Sequence, residues 1–382
     1  MLALTFSVPL PSNSAQTSLL SLPDDDLLSV LEYVSTPDLL SCRAVCLRLR
    51  DVALRPELWR RRSIDIEYNA STRSLEAAVL RVAPCLSTMS MRFAGGSHAL
   101  GTLAATTRCA AAELILDVGH KPAGWEAAKL ALRNQAALGT LRTLVLSCPL
   151  AAIPGLKDLP LVAKCASLRS LNLAVDECPY NAEPLHAAAF LRAATHLEEL
   201  VLQYQIIEDC NVDVDVPVEQ GLLPALASSG RASLRKLVLN WGDFRNDRRV
   251  TELASALPGL PALEWLVLPH VVPRRVLPAI NPGSAPRLRG LSLPSCMVKC
   301  AHGALHEPDV CRILASYRHF YLVVGIMWCG EEGRCEHCAK GCHGLPLPIG
   351  KELVGFYTHE APSKEAVDGL SLKSPCETWM KV

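Results

Sequence analysis

A six-residue pattern, leucine-x-x-leucine-x-leucine, recurs along this chain often enough to decide its architecture. Leu141-Arg-Thr-Leu144-Val-Leu146 is the first clear copy, and others open at Leu168, Leu197, Leu234, Leu263 and Leu288. Their starts lie 27, 29, 37, 29 and 25 residues apart. Weaker copies, Leu86 to Met91, Ala111 to Leu116 and Tyr317 to Leu322, extend the series with spacings of 25, 30 and 29 residues. A period of this size marks one supersecondary unit repeated. Alternation within each copy reads as a strand, and helix-patterned stretches stand between copies: Glu126 to Leu138, Ala182 to Ala194, Val250 to Leu257 and Pro308 to Tyr317. A unit of strand plus helix cannot bury its own leucines. Stacked units can, with the strands paired in parallel over a shared core. A lone copy arises by chance in any leucine-rich helix, whereas six in near-register do not.

The fold class expected is therefore α/β, a repeat solenoid over residues 63–325. Residues 1–17 carry no period and read as a flexible tail, and residues 326–382 read as a cysteine-containing cap in which Glu352 to Tyr357 adds a strand. Lysine plus arginine equals aspartate plus glutamate at 38 each, so net charge directs the chain to neither nucleic acid nor an anionic membrane. Sixteen cysteines at mostly unpaired spacings suggest reduced thiols. The opening MLALTFSVPLPSNSAQ lacks the basic region of a secretory signal, and the apolar run Phe320 to Trp328 is half a membrane span. The expected setting is cytoplasmic and/or nuclear.

Before the repeats, Leu22 to Trp59 carries more apolar surface than about 40 residues hide. Pro23 and Asp24-Asp25-Asp26 suit a helix start, and Leu27, Leu31 and Val34 follow on one face. Thr36, Pro37 and Asp38 suit a second start, running through Leu39, Leu40, Val45 and Cys46. A shorter piece through Leu49 and Val52, then Pro56 and Trp59, closes the segment.

In order and spacing these residues resemble the F-box: Leu22-Pro23, Leu27-Leu28, Leu31, Asp38-Leu39-Leu40, Val45-Cys46, Arg48, Arg50 and Leu58-Trp59. Leu49 stands where the family commonly has tryptophan. The resemblance implies an all-α F-box at residues 18–62 that docks a Skp-type adaptor and, through it, a cullin. The implied contacts are Leu22, Pro23, Leu27, Leu28, Leu31, Leu39, Leu40, Val45 and Trp59. The repeats in turn resemble leucine-rich repeats of the ribonuclease-inhibitor-like horseshoe type. Together the two resemblances imply a non-catalytic, substrate-recognition subunit of an SCF-type cullin-RING ubiquitin ligase, with a protein target on the repeats. The rival expectation is a leucine-rich-repeat scaffold or protein-interaction module outside any ligase.

On such a solenoid a target meets the strand positions between the inward leucines. Val201, Val238 and Val267 stand in that column, with Tyr204, Trp241 and Trp265 nearby as aromatic anchors. Strand propensity alone also favours valine there. Gln203 to Gln220 stretches one unit and carries five carboxylates, an acidic loop. Arg245, Arg248, Arg249, Arg274 and Arg275 are expected on one rim near it, solvated or receiving an acidic peptide. Cys329, Cys335, Cys338 and Cys342 offer four thiolates to a zinc ion, although only one CxxC pair is present and a thiol loop is the competing reading. No phosphate loop, nucleophile elbow or metallopeptidase motif occurs, so neither catalysis nor another cofactor is expected.

Overall fold

The structure, a computed structural model, describes residues 18–67, 74–93, 98–119, 122–149, 166–176, 196–205, 222–228, 232–240, 247–268, 276–298, 307–326, 352–370 and 378–382. The expected tail, the acidic loop from residue 206 onward and the helix over Ala182 to Ala194 lie outside them.

Four short helices come first: α1 (Asp24–Glu32), α2 (Thr36–Val45), α3 (Leu47–Val52) and α4 (Pro56–Trp59). Two starts differ from expectation by one residue. Pro23 is the cap rather than the first helical residue, with Asp24, Asp25 and Asp26 filling the first turn. Ser35, not Thr36, caps α2: its hydroxyl accepts from the Asp38 amide at 3.3 Å and donates to the Asp38 carboxylate at 2.6 Å. Thr36 then shifts into the helix. Leu49 is buried here without the family's tryptophan, and the core is filled by Trp59, whose indole N–H donates to the Ala53 carbonyl at 2.7 Å.

One long mixed sheet follows. Its first part runs β1 (Ser63–Ile66), α5 (Leu75–Val82), β2 (Cys85–Phe93), α6 (His98–Thr106), β3 (Ala110–Val118), α7 (Pro122–Leu138) and β4 (Thr143–Pro149). Next come β5 (Ser170–Asp176), β6 (Glu199–Gln205), α8 (Leu222–Ser228), β7 (Lys236–Asn240), α9 (Asp247–Ala256) and β8 (Trp265–Val267). The chain ends through β9 (Gly290–Val298), α10 (Pro308–Ser316), β10 (Tyr321–Ile326), β11 (Glu352–Tyr357), α11 (Lys364–Gly369) and β12 (Thr378–Lys381). Strand order in the sheet is sequence order throughout.

β1 to β10 are parallel, and their register joins the repeats residue to residue. Met89, Leu114, Leu144, Leu171, Leu200, Leu237, Leu266, Leu291 and Leu322 form one continuous buried ladder. Met91, Leu116, Leu146, Leu173, Leu202 and Leu239 form a second, two residues on, because a strand shows every other residue to the same face. A slip of one residue would turn both ladders out of the core. Helices cover this leucine face. The Gln135 side chain of α7, 1% exposed, accepts from the Ala111 amide and donates to the Cys109 carbonyl, both at 2.9 Å. It thereby pairs backbone groups at the start of β3 that no strand reaches.

The direction of the sheet changes at its end. β11 runs antiparallel to β10, and β12 is parallel to β11. The expected strand at Glu352 to Tyr357 is thus present, but reversed. Parallel crossovers are right-handed, so reversing strand direction while the sheet keeps advancing moves the next crossover helix to the opposite face. α11 lies on that outer face, across from the helices of the repeats. Its Ala366 and the adjoining Leu370 pack on Trp265, Tyr321 and Val323.

Gln135→Ala leaves two buried backbone groups unpaired and should lower unfolding free energy by about 2–4 kcal/mol, measured by urea denaturation.

Candidate partner-docking surfaces

The α1–α4 unit divides its apolar residues into a floor and an exposed set by helical phase. Leu27 and Leu31 are one turn apart on α1 and point inward with Leu39, Leu49, Val52, Leu58 and Trp59, Leu27 being 0% exposed. Leu28, Val34, Leu40 and Cys46 lie partly buried against this floor. Leu19, Leu20, Val30, Tyr33, Val45 and Leu47 face solvent, with Tyr33 at 91%, Leu47 at 71% and Val45 at 69%. Among the described residues nine large apolar side chains are exposed, and these six fall within residues 19–47.

This arrangement corrects the expected contact set. Leu27, Leu31, Leu39 and Trp59 are packed into the chain's own core and have no face to offer. Leu22, Pro23, Leu28 and Leu40 retain exposed or half-exposed surface, and Val45 is prominent. Leu19, Leu20, Val30, Tyr33 and Leu47 are exposed as well, which motif positions alone do not indicate. Helical phase was the available signal, since Val30 and Tyr33 are three apart and off the Leu27–Leu31 stripe.

Two arginines fix the unit's shape. Arg48 donates to the Asp24 carboxylate at 2.7 Å, to the Leu22 carbonyl at 2.6 Å and to the Leu20 carbonyl, which pins the turn carrying Leu19 and Leu20 beside α1. Its hydrogen bond, more than the nearby charges of Arg48 and Arg55, holds the Asp24 carboxyl below the ordinary aspartate range. Arg62 donates to the Leu58 and Val34 carbonyls at 2.7 and 2.6 Å and to the Thr36 hydroxyl at 3.1 Å, joining α4 to the α1–α2 turn.

The outer sheet face gives a second correction. Val201, Val238 and Val267 occupy adjacent strands as expected, but they pack on one another and are buried. Trp265 is 5% exposed, stacked on Tyr321 at 6.2 Å with the Arg289 guanidinium 5.5 Å from its ring centre. α11 is what lies over it. These four residues therefore offer no open surface in this conformation. Tyr204 lies in β6, but its side chain and all of Trp241 fall outside the described residues. So do Arg245, Arg274 and Arg275, the side chains of Arg248 and Arg249, and Cys329, Cys335, Cys338 and Cys342.

Along the strand starts, charges alternate between repeats: Arg169 meets Glu198 at 3.3 Å, Lys236 meets Glu199 at 2.9 Å and Arg235 meets Glu264 at 2.9 Å. These pairs satisfy one another rather than awaiting an anion. Burial pushes the Cys109 thiol up to about 12, which leaves it un-ionised and unsuited to nucleophilic work.

A family model described as F-box-like matches residues 19–65. The span coincides with the four helices and β1, so the chain carries an F-box-like domain at its helical end, followed by the mixed α/β region. No curated protein matches the chain.

Leu27→Ala should cost about 2–5 kcal/mol of stability and Tyr33→Ala less than about 0.5 kcal/mol, compared by denaturant unfolding. Because Asp24 titrates lower in the folded chain, the Arg48 contact contributes fully above the unfolded aspartate value, ordinarily 3.8, and is lost as pH falls through the folded one. Carboxyl NMR should show a depressed Asp24 midpoint that returns toward the ordinary value in Arg48→Met.

Proposed function

We propose that this chain is the substrate-recognition subunit of an SCF-type cullin-RING ubiquitin ligase. Its F-box-like domain grips a Skp-type adaptor, and leucine-rich repeats in a horseshoe present a protein target. The observation that carries the reading is the concentration of exposed apolar side chains on the domain the F-box-like model matches. A small unit that leaves Tyr33, Val45 and Leu47 in water while packing Leu27 and Trp59 inside has a surface suited to another protein. The repeat reading is supported by the leucine ladders and by the strand-and-helix period.

The mechanism is positional. One end is held by the adaptor and its cullin while the other holds the target near a ubiquitin-charged enzyme, which raises effective concentration without bond chemistry in this chain. The place of work is the cytoplasm, the nucleus or both.

Co-purification with a Skp-type adaptor tests the reading. The native chain should retain adaptor, and Tyr33→Glu with Val45→Asp should abolish retention while the melting temperature stays within about 2 °C, since neither side chain is part of the core. Tyr33→Ala alone should weaken binding about 30-fold, the value of a central aromatic anchor worth about 2 kcal/mol. A native chain that recovers no adaptor sinks the ligase assignment and leaves a repeat scaffold in its place.

A further inference from the structure

The outer face of the sheet over Trp265 and Tyr321 already has an occupant, α11, with Trp379 of β12 against the edge of Tyr321. α11 has only six residues, too few to be helical in isolation, so its order comes from the surface beneath it. That surface is shaped for it. A Cβ on Gly369 would sit 2.4 Å from the Trp265 indole, and one on Gly290 would sit 2.6 Å from the same ring and 3.0 Å from Leu370. Two glycines, in β9 and in α11, let the helix approach the ring that closely. Ala366, Gly369 and Leu370 are buried, whereas Lys364, Glu365 and Asp368 face solvent. The polar contacts are few: Lys236 donates to the Asp368 carbonyl at 2.9 Å, and Arg289 stands 3.6 Å from Glu365.

These are the features of a short bound peptide. One leucine anchors, a small-residue face lies on an aromatic floor, an acidic side chain meets an arginine, and a helix-end carbonyl meets a lysine. The covalent tether supplies effective concentration that a free peptide lacks. The ion pair to Glu365 is solvent-exposed and holds little. Opening α11 requires no change in the leucine ladders, which lie on the other face of the sheet.

We propose that Ser363–Leu370 is a displaceable self-ligand of the outer face, and that the target taken there is a short acidic helical segment with alanine or glycine over Trp265 and a leucine one turn on. The competition makes target binding self-limited: the apparent affinity is reduced by the fraction of chains whose face is covered. What the target is for rests on the receptor reading above. Displacement and adaptor capture are measured separately, so either can fail without the other.

The test uses the full chain. Hydrogen exchange of the Val367 and Leu370 amides, which bond to the Ser363 and Ala366 carbonyls, should run at least about tenfold faster than that of Leu322 and Val323 in β10. A labelled peptide of residues 362–370 should bind Gly369→Leu, in which α11 no longer fits over Trp265, at least about tenfold more tightly than it binds the native chain. Adaptor capture should be equal in both. Should Gly369→Leu lose its cooperative melt, Leu370→Ala, which removes the buried anchor without overpacking Trp265, takes its place. Exchange of α11 at the rate of β10 would show a permanent part of the core and overturn the proposal, as would equal peptide binding by released and native chains. Normal displacement in a chain that captures no adaptor would remove the receptor reading and leave the self-ligand standing.

Discussion

Parallel register between leucines is the constraint on which the rest of this molecule depends. Each strand from β2 to β10 places one leucine or methionine directly beside its equivalent in the next, and the covering helices seal them from water. No repeat has enough apolar surface to fold alone, so the ladders hold only if every unit keeps the same phase. Polar side chains reinforce that phase where the ladder cannot reach. Gln135 pairs the backbone entering β3, and Asn134 donates to the Ala104 and Thr107 carbonyls from the same turn of α7. The strand starts carry alternating charges that are satisfied by the neighbouring repeat. A region built this way is held mainly along one direction, from each strand to the next.

The closing elements obey the same rule of handedness with the opposite result. With β11 reversed, a right-handed crossover delivers α11 to the face that the repeats leave open. A cap of this kind protects the end of the sheet through β11 and β12 and at the same time covers Trp265 and Tyr321. The aromatic pair is thus the floor on which α11 rests, with the edge of Trp379 against Tyr321. Thr358 ties the exit of β11 to the entry of β10, accepting from the Phe320 amide at 3.0 Å and donating to the Arg318 carbonyl at 2.9 Å. The reversal is fixed even though the helix beyond it makes few polar contacts.

At the other end, the F-box-like domain separates core packing from exposed apolar surface within one helix. Leu27 and Leu31 hold the unit together, while Val30 and Tyr33 are left in water. Arg48 and Arg62 hold the turns between these helices, because each guanidinium gathers backbone carbonyls from them. Motif matching treats these residues alike. Packing does not.

The sequence by itself determined the repeat period, the strand positions, the inward leucines and the F-box-like segment, because each depends on local spacing: period two in strands, near 3.6 in helices, and a fixed interval between units. It also carried the strand at Glu352 to Tyr357. Only the tertiary structure decided which apolar residues remain available to a partner. Leu27, Leu31, Leu39 and Trp59 read as contacts and are core; Val201, Val238, Val267 and Trp265 read as a recognition strip and are covered. In the first case four helices closed around a shared centre. In the second, the three valines pack on one another, and for Trp265 a strand reversal tens of residues away turned a helix onto its face. Burial is set by what arrives from elsewhere in the chain, and residue spacing holds no record of it.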